Sequence, residues 1–260
     1  MALLDLRQEA AETPLHPETW PTLSDADLRL ARATWRGRMV NEHVSARIFA
    51  GLVPQLMAAG VSAARQTAAA TMIADELRHA RLCAAVLLGL GEAPVAELPP
   101  LPPVPTHDDC DPVEALLRNT LSISCLSETV AVALIQAERQ EIAVPEISAI
   151  LQRILADEIQ HARFGWTLLE ELAPGLDSAT RARLGTYLQL AFAHLEAHEL
   201  AHLSAGPAPS ETATGYGLCD GREARALFYE TVTEVIVPGL ERQGLPARAA
   251  WQNRSLALAA

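Results

Sequence analysis

Two short stretches of the chain repeat one pattern: Asp75-Glu76-Leu77-Arg78-His79 and, 82 residues later, Asp157-Glu158-Ile159-Gln160-His161. On a helix, residues three apart share a face, so each Glu-x-x-His presents a carboxylate and an imidazole to one point in space. That is half of a metal site. One further Glu stands upstream of each copy inside an apolar helical run: Glu42, 34 residues before Glu76, and Glu128, 30 residues before Glu158. Four carboxylates and two neutral imidazoles balance two divalent cations, whereas four unpaired carboxylates in a core would each carry a heavy desolvation cost.

Helices must position these residues. Ser24 with Asp27 three residues on is a capping box that opens a helix through Trp35, Met39, Val40, Ile48 and Leu52 to about Gly60. Ser62 caps a second, through Met72 and Leu82 to near Gly91. The stretch from Gly91 to Asp111 holds six prolines and reads as a non-helical strap, the long crossover that joins two helical hairpins. Asp111-Pro112 starts a third helix to about Glu141, and Pro145 a fourth that ends before Pro174-Gly175. Asp177 or Ser178 caps a fifth, to about Ser204. A loop from Ala205 to Gly221, rich in Gly, Pro, Ser and Thr and holding Tyr216, has the composition of a mobile lid. A sixth, shorter helix passes Phe228 and Val235 and is interrupted at Pro238. No strand-like alternation competes, and the expectation is a single all-α domain over 1–260. Its core bundle covers 24–173, the strap 91–111, and helices over 177–258 form a substrate-facing cap.

The spacing of the six residues fits this layout. In an antiparallel hairpin, residues at equal height are equidistant from the turn. Glu42 and His79 are equidistant from Gly60-Val61, and Glu128 and His161 from Val144-Pro145, so each lone Glu is expected level with its Glu-x-x-His. The faces agree: Glu128 continues a row through Leu121 and Cys125 toward Val132 and Ile135, and Glu158 one through Leu151, Ile154, His161 and Leu168. Leu188, Leu190, Phe192 and Leu195 of the fifth helix lie on several of its sides, so it must bury against the bundle. His194, His198 and His202 form a ladder on one face of it, a further ligand source or a lining of the entrance.

The bulk composition removes several function classes. A formal charge of −12 speaks against a nucleic-acid partner. There is no lysine, which excludes Schiff-base chemistry and a lysine-tethered pyridoxal cofactor. Asp5 and the lack of a basic n-region speak against a secretory signal in residues 1–17, and no run of 18 apolar residues is free of charge, so no membrane span is expected. Four scattered cysteines, Cys83, Cys110, Cys125 and Cys219, without a C-x-x-C, point to reduced thiols in a cytoplasm.

The pattern E…DExRH…E…DExxH resembles the ferritin-like superfamily of di-iron carboxylate proteins: soluble methane monooxygenase hydroxylase, class I ribonucleotide reductase small subunit, acyl carrier protein desaturases, arylamine N-oxygenases and bacterioferritin. The resemblance covers about residues 24–173. It implies a ferritin-like four-helix bundle in which Glu42, Glu76, His79, Glu128, Glu158 and His161 hold two iron ions, with manganese or a mixed Mn/Fe pair as the competitor and Glu76 and Glu158 or their partners bridging. It further implies that Asp75 orients His161 and Asp157 orients His79, with Arg78 matching the Arg between Glu and His. The Asp-Glu doublets belong to the oxygen-activating branch, so the implied activity is O2-dependent hydroxylation, N-oxygenation or desaturation of a small, largely apolar molecule. An external electron donor and a monomer or homodimer go with that reading.

The departures from the family narrow it. Cys83 stands where the reductase carries its radical tyrosine, as it does in methane monooxygenase, and Gly165 follows the second His by four. Ala131 and Val132 replace the Thr of oxygenases and desaturases, with Thr129 adjacent to Glu128. The third histidine ligand of N-oxygenases would fall at Ile154. Cys83 and Cys125 are expected to pack beside the site, and His43 to point away from it. The alternative function is a ferroxidase, iron-handling or peroxide-scavenging protein without an organic substrate. A 24-subunit cage in light scattering would favour that class, and a monomer or dimer the oxidase.

Overall fold

The computed structural model describes residues 2–203 and 206–258; the expectations that touch Ser204 and Ala205 lie outside the described residues. At 75% helix against 2% strand, the protein is all-α. A strand β1 (Leu3–Asp5) and a short helix α1 (Arg7–Ala10) precede the two long helices α2 (Asp25–Ala58) and α3 (Ala63–Gly89). Strand β2 (Val95–Glu97) follows. Then come α4 (Pro112–Thr120), a π-helical segment Leu121–Ser127, α5 (Glu128–Glu141) and α6 (Pro145–Leu172). The chain closes with α7 (Ser178–His202), α8 (Glu211–Thr214), α9 (Gly221–Glu230), a second π segment Thr231–Ile236, α10 (Val237–Arg242) and α11 (Ala247–Gln252).

The starts expected from the sequence are made by side chains. Ser24 accepts from Asp27 N, Ser62 from Arg65 N, Asp111 from Val113 N and Glu114 N, and Asp177 from Thr180 N. Each satisfies backbone donors that the first helical turn leaves free. Gly60, at φ +67°, takes the left-handed backbone that turns α2 into α3, centred where the spacing placed it. The second turn is centred on Ala143, earlier than Val144-Pro145, because the three residues after Glu141 leave the helix and Pro145 opens α6 directly.

Four expectations are corrected. The N-terminal lead-in and the strap are not wholly irregular: β1 pairs antiparallel with β2, Leu3 opposite Glu97 and Asp5 opposite Val95. Three residues per strand are too few to show alternation. Pro238 does not interrupt the last long helix, which runs from α9 through the π segment into α10; the proline stands two residues after that segment, whose wider turn already breaks the regular i→i−4 ladder it would disrupt. Leu190 is 38% exposed, while Leu188, Phe192 and Leu195 are buried. Residues 206–221 are docked, not a free lid: Tyr216 is buried, donates through its hydroxyl to Pro21 O, and accepts from Trp35 Nε1 on its carbonyl at 2.9 Å.

The strap lies along α2. Val104 fills the notch at Gly51, where an added Cβ would lie 2.7 Å from it, Arg47 donates to Pro102 O, and Gln55 Nε2 donates to Pro105 O at 2.8 Å. One core joins Trp35, Met39, Cys83, Leu87, Ile147, Leu151 and Ile154. Another joins Phe49, Leu52, Met72, Leu116, Phe164 and Leu168. Along α2, α3 and α6 the residues of interest fall between these two cores. A third core packs α7 and α9–α11 against Leu117, Leu121, Val130 and Leu169. The run Pro112–Glu141 is long and apolar enough to cross a membrane by length and composition alone, yet Leu116, Leu117, Leu121, Leu126 and Val130 are buried inside the protein.

Candidate metal centre

Glu76, His79, Glu158 and His161 are at most 4% exposed and Glu128 is 8% exposed, whereas Glu42 is half-buried. They fall into two overlapping groups of possible metal ligands: Glu42, Glu76, His79 and Glu158, and Glu76, Glu128, Glu158 and His161. Within each group one ligand atom per residue lies within 4.8 Å of all the others. Glu76 and Glu158 belong to both. Buried Glu and His at these distances could hold a metal ion.

Both imidazoles are aimed the same way. His79 Nδ1 lies 3.3 Å from Glu42 Oε2 and 3.2 Å from Glu158 Oε1, and His161 Nδ1 lies 3.1 Å from Glu76 Oε1 and 3.1 Å from Glu158 Oε2. The other ring nitrogen turns outward to an aspartate of the opposite motif. His79 Nε2 is 3.1 Å from Asp157 Oδ2, and His161 Nε2 is 3.4 Å from Asp75 Oδ2. With Nε2 held on the aspartate, Nδ1 is the nitrogen that points at the carboxylates, and it is the one that would ligate a metal once the proton it shares with them is displaced.

Arg78 ties the two halves together. It donates through Nη2 to Asp75 and, at 2.9 Å, to Asp157 Oδ2, so one guanidinium fixes both aspartates. Arg153, one turn before Asp157, adds a contact at 3.2 Å that its i,i+4 spacing would have revealed. Burial would raise Asp157, but its hydrogen bonds from Arg78 and His79 hold it below the ordinary carboxylate value. Removing such outer partners of a ligating His typically weakens metal binding about 10–100-fold. Asp157→Ala is therefore expected to lower metal affinity by that factor at unchanged saturating stoichiometry, read by titration against a chelator.

Burial and mutual hydrogen bonds shift the protonation of this cluster. Burial, then the charges of Glu42 and Glu158, push Glu76 up to about 8, against the pull of a hydrogen bond from His161. Burial and the neighbouring Glu158 push Glu128 well above the ordinary value. Burial alone would lower the histidines, but the hydrogen bonds and charges of Glu158 with Glu42 or Glu76 raise His79 to about 11 and His161 to about 10. Burial would raise Glu158, which its bonds from His161, His79 and Glu128 instead hold far below the usual range. Near neutral pH, protons on His79, His161 and Glu76 offset part of the negative charge that bound cations would balance.

Several expected neighbours take other places. Glu128 is level with Glu158 rather than His161, because the turn is centred on Ala143, and the two carboxyls interact directly. Thr129, beside Glu128, accepts from Trp166 Nε1 at 2.9 Å. Cys83 and Cys125 are fully buried packing residues whose thiols burial pushes up. Ile154 is buried core, while Ala131, Val132 and His43 are half-buried, and none of the four belongs to a ligand group. His194, His198 and His202 are exposed and likewise outside both groups. His202 instead borders a surface groove of about 750 Å³ with Gly37, Val40 and Asn41 of α2, next in sequence to Glu42, and with β2.

Two features had no counterpart in the expectations. Phe49 stacks edge-on against His161, ring centres 5.1 Å apart, and shields that half of the cluster. The π segment ends at Ser127, directly before Glu128, and such local widenings recur at functional sites. Gly165 is explained by the same segment: a Cβ there would lie 2.4 Å from Ser124 Cβ and 3.1 Å from Cys125 N. Gly165→Val is expected to cost about 1–3 kcal/mol by overpacking, seen as a lowered melting temperature. No protein-family model and no curated protein matches this chain, so the case for the centre is its geometry.

Proposed function

We propose that this protein is a ferritin-like di-iron oxidase or oxygenase. In this reading α2, α3, the α4–α5 run and α6 form the four-helix bundle, and the strap is its crossover. Glu42, Glu76, His79, Glu128, Glu158 and His161 would hold two iron ions, with manganese as the competitor. Iron bound there would supply the electrons that reduce O2 for oxidation of a small, largely apolar molecule. The observation that carries the reading is the doubled ligand group sharing Glu76 and Glu158, with each histidine backed by an aspartate from the opposite motif.

The chain's own share is placement and exclusion of water. Asp75 and Asp157 hold the Nε2 side of each ring, which aims Nδ1 at the carboxylates as the nitrogen that would ligate a metal. Arg78 stops either aspartate from turning inward to compete as a ligand. Phe49 packs on His161 and buried Cys83 lies beside Glu42, Glu76 and Glu158, and of the six residues Glu42 is the most open to solvent. The test is anaerobic loading with ferrous iron followed by O2 and candidate substrates. O2 uptake accelerated by an organic molecule that is recovered oxidised is expected. Uptake that yields ferric protein at one rate whatever molecule is added would contradict the oxidase reading.

A further inference from the structure

Four hydroxyls ride on the chain leading into Glu128: Thr120, Ser122, Ser124 and Ser127. The two half-buried ones are satisfied. Ser122 Oγ lies 2.7 Å from Tyr187 Oη, and Ser127 Oγ donates at 3.1 Å to Ser122 O, five residues back across the wide π turn. Thr120 and Ser124 are fully buried, and the hydroxyl of neither has a hydrogen-bond partner. They stand four residues apart, and Glu128 stands four beyond Ser124. Folded proteins rarely leave a buried hydroxyl unmet, because the group forfeits its water and gains nothing in return.

The setting is otherwise apolar. Leu116, four residues before Thr120, shares a cluster with Phe49 and Leu52 of α2 and Phe164 and Leu168 of α6. Gly165, four residues beyond His161, brings Ser124 against the α6 backbone beside that half of the centre. Small-molecule sites are built this way: apolar walls and a few placed polar groups.

We propose that Thr120 and Ser124 are the polar anchor of a binding site beside the metal centre, and that it takes a small neutral molecule carrying one hydroxyl or carbonyl on an apolar body. This rests on the two-metal reading of the adjacent carboxylates and narrows its substrate class. Residues four apart fall on nearly the same side of the chain in either an α or a π turn, so one ligand oxygen can approach both hydroxyls. A charged group would need a counter-ion. The nearest charges on the same helix are already engaged: Arg118 with Glu114 and Asp109, Glu114 with Arg183, and Glu128 within the ligand group.

The test compares hexanol, hexanone, hexylamine and hexanoate binding to zinc-loaded wild type and to Thr120→Val/Ser124→Ala by calorimetry, with zinc content measured on the same samples. Hexanol and hexanone are expected to bind wild type and to weaken about tenfold in the double variant, while hexylamine and hexanoate bind neither. The ligand-free variant is expected to melt at a higher temperature, because two unmet hydroxyls are gone, and Thr120→Ser is expected to keep wild-type affinity. Should the double variant fail to fold, Thr120→Val alone makes the same comparison. Absence of hexanol and hexanone binding, affinity unchanged by the substitutions, or a lower melting temperature with unchanged affinity, as when only a resident water is lost, would overturn the anchor. Zinc below two per chain counts against the metal reading instead, and hexanol binding in that sample still judges the anchor.

Discussion

Glu158→Gln is expected to abolish stoichiometric metal binding, whereas Glu42→Gln and Glu128→Gln each leave one metal per chain. The difference follows from membership. Glu158 and Glu76 belong to both ligand groups, while Glu42 serves only the His79 group and Glu128 only the His161 group. An amide keeps the volume of the carboxyl but loses its charge and is a poor ligand, so packing is retained while the site loses a bridge. Metal analysis after loading and desalting reads the outcome. Glu76→Gln should behave as Glu158→Gln does. Equal losses in all four variants would mean that the two groups are not separate sites.

A second large effect is a reversal of pH dependence between the metal-free and metal-loaded protein. In the metal-free fold Glu76 titrates at about 8 against an ordinary 4.5, and His161 and His79 at about 10 and 11 against 6.5. All three hold their protons more tightly folded than unfolded. Stability from the histidines is therefore complete below about pH 6.5 and is lost as the pH rises toward 10–11, and raised Glu76 adds a further loss between about 4.5 and 8. Metal binding runs the other way, because ligation requires neutral imidazoles and ionised carboxylates. Loading near pH 7 should release the protons on His79, His161 and Glu76, so apparent affinity climbs steeply with pH. Chemical denaturation of both forms across pH 6–9 should show the metal-free protein weakening and the gain on metal addition growing. A gain that shrinks with rising pH would contradict the protonation scheme.

What the sequence made legible was periodic, and what it hid was local. Caps at Ser24, Ser62, Asp111 and Asp177 and the turn at Gly60 follow from residue types that satisfy free backbone donors or permit a positive φ, and these are present as expected. The level of Glu42 with His79 depends only on counting from that turn. The second hairpin was less legible, because the helix-breaking residues at its turn fix a boundary on one side only: Pro145 starts α6, but nothing marks where α5 stops.

The π segment before Glu128 has no signature in composition, since it differs from an α-helix by one residue of register rather than by residue type. The strand pair β1–β2 was missed for want of length. Leu190 shows the limit of reading burial from hydrophobicity, as exposed leucines are ordinary on folded surfaces. The outward pairs His79–Asp157 and His161–Asp75 came from the resemblance, not from spacing, because they connect residues on different helices whose relative rotation no single-chain pattern shows. That Arg78 spans both aspartates was legible from neither.

The central claim is that one buried centre holds two cations side by side, and an anomalous-scattering crystal structure of manganese- or iron-loaded protein tests it most directly. Two metal peaks a few ångströms apart are predicted, one against His79 and Glu42 and the other against His161 and Glu128, with Glu76 and Glu158 reaching both. A single peak, or peaks that leave Glu76 and Glu158 without metal, would contradict it.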